Sequence, residues 1–107
     1  MNTDPTIAIG WTTVATREAA EALARGLLDA RLVACVQLDG PVTSYFRWQG
    51  EVAAEPEYRL AVKFPATHAE ALRDWLDAHH PYDTPQWVAV RVADAHPHYA
   101  AWVHEST

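Results

Sequence analysis

Apolar positions along this chain change period several times, and each change marks an element. Ile7 to Val14 alternates as a strand, with Ile7, Ile9 and Trp11 on one face. A helix is predicted from about Arg17 to Ala30. Thr16 serves as its N-cap and Glu18 suits its positive start. Ala20, Leu23, Ala24 and Leu27 form its apolar stripe. Gly26 sits inside it at a cost of about 1 kcal/mol against Ala, which close packing on the sheet would explain. Leu32, Ala34, Val36 and Leu38 then alternate on a second strand, Gly40-Pro41 signals a bulge or kink, and "VTSYFRW" resumes the strand pattern. Gln49-Gly50 is the predicted hairpin tip. The return arm carries Tyr58, Leu60, Val62 and Phe64 at alternate positions, with Pro56 at an edge or bulge.

Thr67-His68-Ala69-Glu70 has the form of a capping box opening a second helix, whose predicted buried face is Ala71, Leu72, Trp75 and Leu76. Gln86 to Val92 is a further strand, with Val88, Val90 and Val92 on one side. A short closing helix follows Pro97 and presents Tyr99, Trp102 and Val103. The order strand, helix, strand, strand, helix, strand, short helix predicts an α+β fold. It is a single ferredoxin-like split βαβ sandwich spanning 1–107, with an extended hairpin and a short C-terminal helix.

The hairpin is long for such a domain. Its arms are predicted from about Leu32 to Trp48 and from Val52 to Phe64, and the shorter could reach ~40 Å against about 20 Å for a usual strand. Two helices cannot cover that length. The distal half, with Tyr45, Phe46 and Trp48, is expected to project and pair with another copy of the chain in a closed symmetric assembly. The alternative is a kink at Pro41 that folds the tip back onto its own sheet.

Composition narrows the function. A chain of 107 residues buries roughly 65% of its unfolded surface, enough for one modest core. The net charge is −6, and Lys63 with seven scattered arginines forms no basic stripe, which argues against nucleic acid or an anionic membrane surface as partner. No run approaches the ~18 apolar residues of a membrane span. One cysteine, Cys35, permits no intrachain disulfide, and "MNTDPTIAIGW" has no secretory-leader pattern, so a cytoplasmic protein is expected.

The stretch "HHPYDTP" from His79 to Pro85 carries the candidate chemistry. Pro81 disfavours helical geometry at His80, so His79 would close the last helical turn, where an imidazolium suits the negative helix end. That reading is structural. The functional reading is that leaving the helix re-aims His79 and His80 together as ligands, imidazole being suited to copper. Cys35, among Val33, Ala34 and Val36, is expected to be a small core residue rather than a ligand. His96 and His98 flank Pro97 but have no third ligand near in sequence. His68 is expected to be exposed and His104 to lie near a frayed end.

"ARLVACVQL", "SYFRWQGEV", "HHPYDTPQWVAV" and "HYAAWV" together resemble the CutA divalent-cation-tolerance family, in order and over nearly the whole chain. The resemblance implies a cytoplasmic homotrimer of ferredoxin-like subunits whose long hairpins pair across subunits. It implies tolerance to copper and other divalent cations, with copper bound by some members, and a shape like the trimeric PII signalling proteins, which bind small molecules between subunits. In some bacterial members the histidine pair, here His79 and His80, and a cysteine at the end of the first strand are the ascribed copper ligands. That cysteine position falls on Thr12, a weak substitute for a soft metal, while Cys35 matches another family cysteine. Tyr45, Trp48, Lys63 and Tyr82 match polar or aromatic positions of the family pattern and mark an intersubunit ligand cleft. Glu51 stands where the family often has lysine, and Gln86 where it often has glutamate, so the cleft's charge pattern is altered.

Three functions follow as expectations. The first is a trimer binding copper or another divalent metal in the response to metal ions. The second is a PII-like scaffold that takes a small anion or a protein partner in its clefts. The third, an acylphosphatase-type enzyme, wants an arginine in a phosphate-cradling loop after the first strand. "TTVATRE" lacks glycines and puts Arg17 at the helix start, so a non-enzyme is expected.

Overall fold

The computed structural model describes residues 4–107; Met1 to Thr3, and with them part of the leader reading, lie outside the described residues. The elements are β1 (Ile7–Val14), α1 (Arg17–Asp29), β2 (Cys35–Trp48), β3 (Glu51–Pro65), α2 (Ala69–His79), β4 (Val88–Arg91) and α3 (Pro97–Glu105). They form one four-stranded sheet in the order β2-β3-β1-β4, every neighbour antiparallel. This is the predicted split βαβ arrangement. Among the described residues no helix is long and apolar enough to cross a membrane.

Strand alternation divides the sheet into two faces. Ala8, Val14, Leu60, Val62 and Phe64 point to the face that α1 and α2 cover, meeting Leu23, Leu27, Leu72 and Leu76. Burying each large side chain contributes about 1.5–3 kcal/mol. The other face is covered at one end only, where Val103 of α3 packs on Ile7 and Ala34. Beyond that end Val88 and Val90 are 56% and 53% exposed. Register places them against Trp11 and Ile9.

Thr16 caps α1 as expected, accepting the Ala19 N–H at 3.1 Å. The helix ends in a Schellman turn, with Leu32 N–H bonded to Leu27 O and Arg31 N–H to Leu28 O. Arg31 takes the left-handed conformation at φ 58°. That turn delays β2 to Cys35, so Leu32 and Ala34 pack as core residues before the strand rather than within it. Gly26 does mark close packing, but against α2: a Cβ there would stand 2.7 Å from the Trp75 ring.

The capping box does not form. The chain enters α2 through a 3₁₀ turn, Ala66–His68, so Thr67 already has helical geometry and cannot present an extended N-cap. Ala71 is exposed, and Ala69 packs on the core in its place. His68 is half-buried and its Nδ1–H donates to Leu32 O at 3.0 Å, which the exposed reading missed.

The hairpin projects. Its tip is the two-residue turn Gln49-Gly50, both at positive φ. Pairing runs from Cys35↔Lys63 to Trp48↔Glu51, with one interruption between Asp39 and Val42. There Gly40 and Pro41 oppose the single residue Tyr58, a bulge in which Gly40 has φ 143°. The bulge does not fold the tip back: Tyr45 and Trp48 are 75% and 63% exposed.

Replacing Gly26 tests the α1–α2 contact. Although Ala favours a helix by about 1 kcal/mol, intrusion on the Trp75 ring costs about 1–3 kcal/mol. Gly26→Ala is expected to lower the urea midpoint, and a raised midpoint would show that the ring yields freely.

Candidate functional site

The break after α2 is built as the sequence predicted. His79 is the last helical residue, and His80, held before Pro81, is extended at φ −71°, ψ 137°. The two imidazoles then take separate partners. His79 is exposed, its Nδ1–H donates to Trp75 O at 2.8 Å, and its ring stacks on Trp75 at 4.1 Å. It closes the turn, and its Nε2 makes no hydrogen bond among the described residues.

His80 turns inward, to the first strand. Its Nδ1 accepts the Tyr82 N–H at 3.1 Å, which bridges Pro81. A neutral ring that accepts at Nδ1 carries its proton on Nε2. That Nε2–H donates to Thr13 O at 3.1 Å and lies 3.0 Å from Thr12 Oγ1. Tyr82 continues the chain of bonds, its hydroxyl donating to Glu57 Oε2 at 3.0 Å. Thr12, His80, Tyr82 and Glu57 thus join β1, the end of α2 and the base of the hairpin. The structure brings together Thr12 and His80, two of the three positions of the implied copper set, but both His80 nitrogens are already engaged.

Burial is the main cause that holds His80 below its ordinary pKa, working against the Thr13 bond and the Glu57 charge. Tyr82 is pushed up to about 12, first by burial and then by its bond to Glu57. Among the described residues, no three His, Cys, Asp or Glu side chains converge as a metal-holding group.

The four cleft residues do not meet within one subunit. Tyr45 and Trp48 lie on the projecting hairpin and Tyr82 at its base. Lys63 is six residues beyond Glu57 on β3, roughly 20 Å away. It lies on the open face, opposite Ile9 and Cys35. Its ammonium donates to the neutral Gln37 Oε1 at 2.6 Å. Cys35 is free and half-buried on that same face, not in the core. The odd-even register with Lys63 decides this, and neighbouring residue types did not reveal it.

The remaining histidines lie around α3 and make local contacts. His96 accepts the His98 N–H and caps α3, its ring 5.0 Å from that of His98. His104 donates to Pro5 O at 2.9 Å and ties α3 to the chain's start. Sequence reasoning missed Glu57 as the partner of Tyr82, since nothing local links residues 25 apart.

A family model described as CutA1 divalent ion tolerance protein matches residues 8–106. The chain belongs to that family. The divalent-cation tolerance protein CutA of Thermus thermophilus is 41% identical over 96 residues, 89% of this chain and 92% of that relative. The chloroplastic protein CutA of Arabidopsis thaliana is 31% identical over 98% of this chain, which spans 57% of that longer protein. The crystal structure of CutA1 from Oryza sativa superposes with a TM-score of 0.94 at 28% identity, covering 99% of this chain and 97% of that one. The fold of the CutA1 family is therefore the fold described above.

The neutral, doubly bonded state of His80 makes stability depend on pH. The unfolded imidazole takes up its proton near 6.5, whereas the folded one resists until lower pH. Between those values the unfolded chain binds more protons. Stability is therefore full above about pH 6.5 and falls as pH drops through that window. His80→Ala is expected to flatten this dependence and to cost about 1–3 kcal/mol at pH 8, since it leaves Thr13 O and the Tyr82 N–H unpaired. Urea unfolding from pH 8 to pH 5 reads both, and an unchanged pH slope in the variant would count against it.

Proposed function

We propose that this CutA1-family chain acts as a homotrimer in the response to divalent cations, binding copper or a related ion through imidazole, without catalysing a reaction. The observation that supports association is the open sheet face. Val88, Val90, Trp11 and Ile9 form a paired apolar surface on that face, and farther out the hairpin carries Tyr45 and Trp48 in solvent. Such surface favours contact with another chain, and three-fold closure is what the family resemblance implies. The names of the relatives concern divalent-cation tolerance. A cytoplasmic location fits the free Cys35, though the Arabidopsis relative is named chloroplastic.

For the metal, His79 is the better donor of the pair, because it is exposed, its Nδ1 is satisfied, and its Nε2 carries no hydrogen bond among the described residues. A metal at His80 would have to displace Tyr82 N–H from Nδ1 or replace the Nε2 proton. The Thr12 hydroxyl adds little for a soft ion.

A second reading has one observation in its favour. Lys63 is half-buried with a neutral amide for its partner, so an anion reaching the open face would find an uncompensated charge. A small anion or protein partner would then sit between subunits, among Lys63, Tyr82 and the Tyr45 and Trp48 of the hairpin.

Sedimentation at micromolar concentration is expected to give three subunit masses, and a stable single subunit would reject the assembly. Calorimetric titration with Cu(II) is expected to show saturable binding that weakens about tenfold or more in His79→Ala and vanishes in the His79→Ala/His80→Ala double variant. Binding unchanged in the double variant would reject this metal site. Lys63→Ala decides the second reading, through loss of any metabolite-induced thermal shift.

A further inference from the structure

The helix-covered side of the sheet holds a second feature, separate from every residue named for metal or intersubunit cleft. Between α2 and the edge strand β4 lies a cleft of ≈ 380 Å³. Ala8, Ala66, Ala69 and Ala89 line it, and their small side chains leave the space. Phe64 and Trp87, 5.9 Å apart and tilted at 36°, give it an aromatic wall. Arg73 from α2 and Arg91 from β4 also line it.

Two arginines lining one cleft stand out in a chain of net charge −6 with seven arginines in all. Arg91 is partly committed: one of its terminal nitrogens donates to Asp4 Oδ2 at 2.6 Å. A guanidinium has five N–H donors in a flat fork, so others remain for a second acceptor. Arg73 makes no ion pair among the described residues, although Asp74 and Asp77 are near in sequence and line the adjoining depression with it.

We propose that this cleft binds a small aromatic carboxylate. The flat body lies against Trp87 and the alanine floor, and the carboxylate reaches Arg73 and Arg91. The volume is at the low end for ligand pockets, which are mostly apolar with a few convergent polar groups. Two guanidiniums suit a single carboxylate by charge and by paired donors. Asp74 and Asp77 select against ligands of higher negative charge, because a polyphosphate extending into the adjoining depression would meet their carboxylates. The site is formed within one subunit and needs neither the metal nor the second reading above.

The test is a titration of the full chain with benzoate, followed by amide and indole N–H shifts in NMR spectra. Benzyl alcohol and inorganic phosphate serve as probes that lack the charge or the apolar body. Benzoate is expected to shift the Trp87 indole N–H saturably, and the other two to leave it in place. Arg73→Gln should weaken benzoate binding about tenfold or more. Ala69→Leu, which keeps both charges and fills the space, should abolish it. Arg25→Gln, on exposed α1 surface, should change nothing. The proposal is overturned if benzoate leaves Trp87 unshifted, if phosphate shifts it equally, or if Arg73→Gln and Ala69→Leu both bind like the parent chain.

Discussion

β3 is the strand on which the molecule is hung. From Arg59 to Lys63 it is paired on both sides, with β1 and with β2, and from Glu57 outward β2 is its only neighbour. The inner half is therefore a sheet centre, with Leu60, Val62 and Phe64 fully buried under two helices. The outer half is a two-stranded ribbon with nothing behind it. One continuous strand thus joins a region stabilised by burial to a region that lacks it. A two-stranded ribbon is marginal in water by itself, so its order depends on the inner half and on whatever surface it meets.

Polar burial at the break after α2 serves a different end. His80, Thr12 and Tyr82 could have been apolar without loss of core, but their bonds fix where the chain goes after Pro81. The ring holds the Tyr82 N–H on one side and β1 on the other, and Tyr82 then reaches Glu57 at the start of the ribbon. Each bond satisfies a group that would otherwise be costly to bury, and no buried side-chain nitrogen or oxygen among the described residues lacks a partner. The arrangement links helix end, first strand and hairpin base through fixed donors and acceptors. Its specificity lies in geometry rather than in charge.

Much of this was legible in the sequence because it is local. The period of Ile7–Val14 and of Tyr58–Phe64, the Thr16 cap, the Gln49-Gly50 tip and the stop at Pro81 each depend on a few neighbouring residues, and each was found where predicted. What the sequence hid was decided by contacts distant along the chain. Thr67 has the right neighbour for a cap, but the 3₁₀ turn after β3 starts the helix early. Gly26 announced a close approach without saying that Trp75, not the sheet, makes it. Cys35 sits among core residue types, yet its register opposite Lys63 puts it on the open face. His79 and His80 are adjacent, but one ring follows Trp75 and the other follows β1. The Arg73–Arg91 cleft joins residues 18 apart, with no motif to announce it.

The bulge at Gly40-Pro41 decides more than a bend. Before it, even-numbered residues of β2 lie across from even-numbered residues of β3, as in Val36↔Val62 and Leu38↔Leu60. After it, even faces odd, as in Phe46↔Ala53 and Trp48↔Glu51. β3 runs through without interruption, so its alternation supplies a fixed reference. By that reference the extra residue transfers Phe46 and Trp48 to the side bearing Ala61 and Lys63, and sends Tyr45 to the side bearing Leu60. Without the extra residue the two strands would still pair, but the rings beyond the bulge would change sides. One inserted position therefore acts as a parity bit for the ribbon, setting which flank meets a neighbour and which meets water.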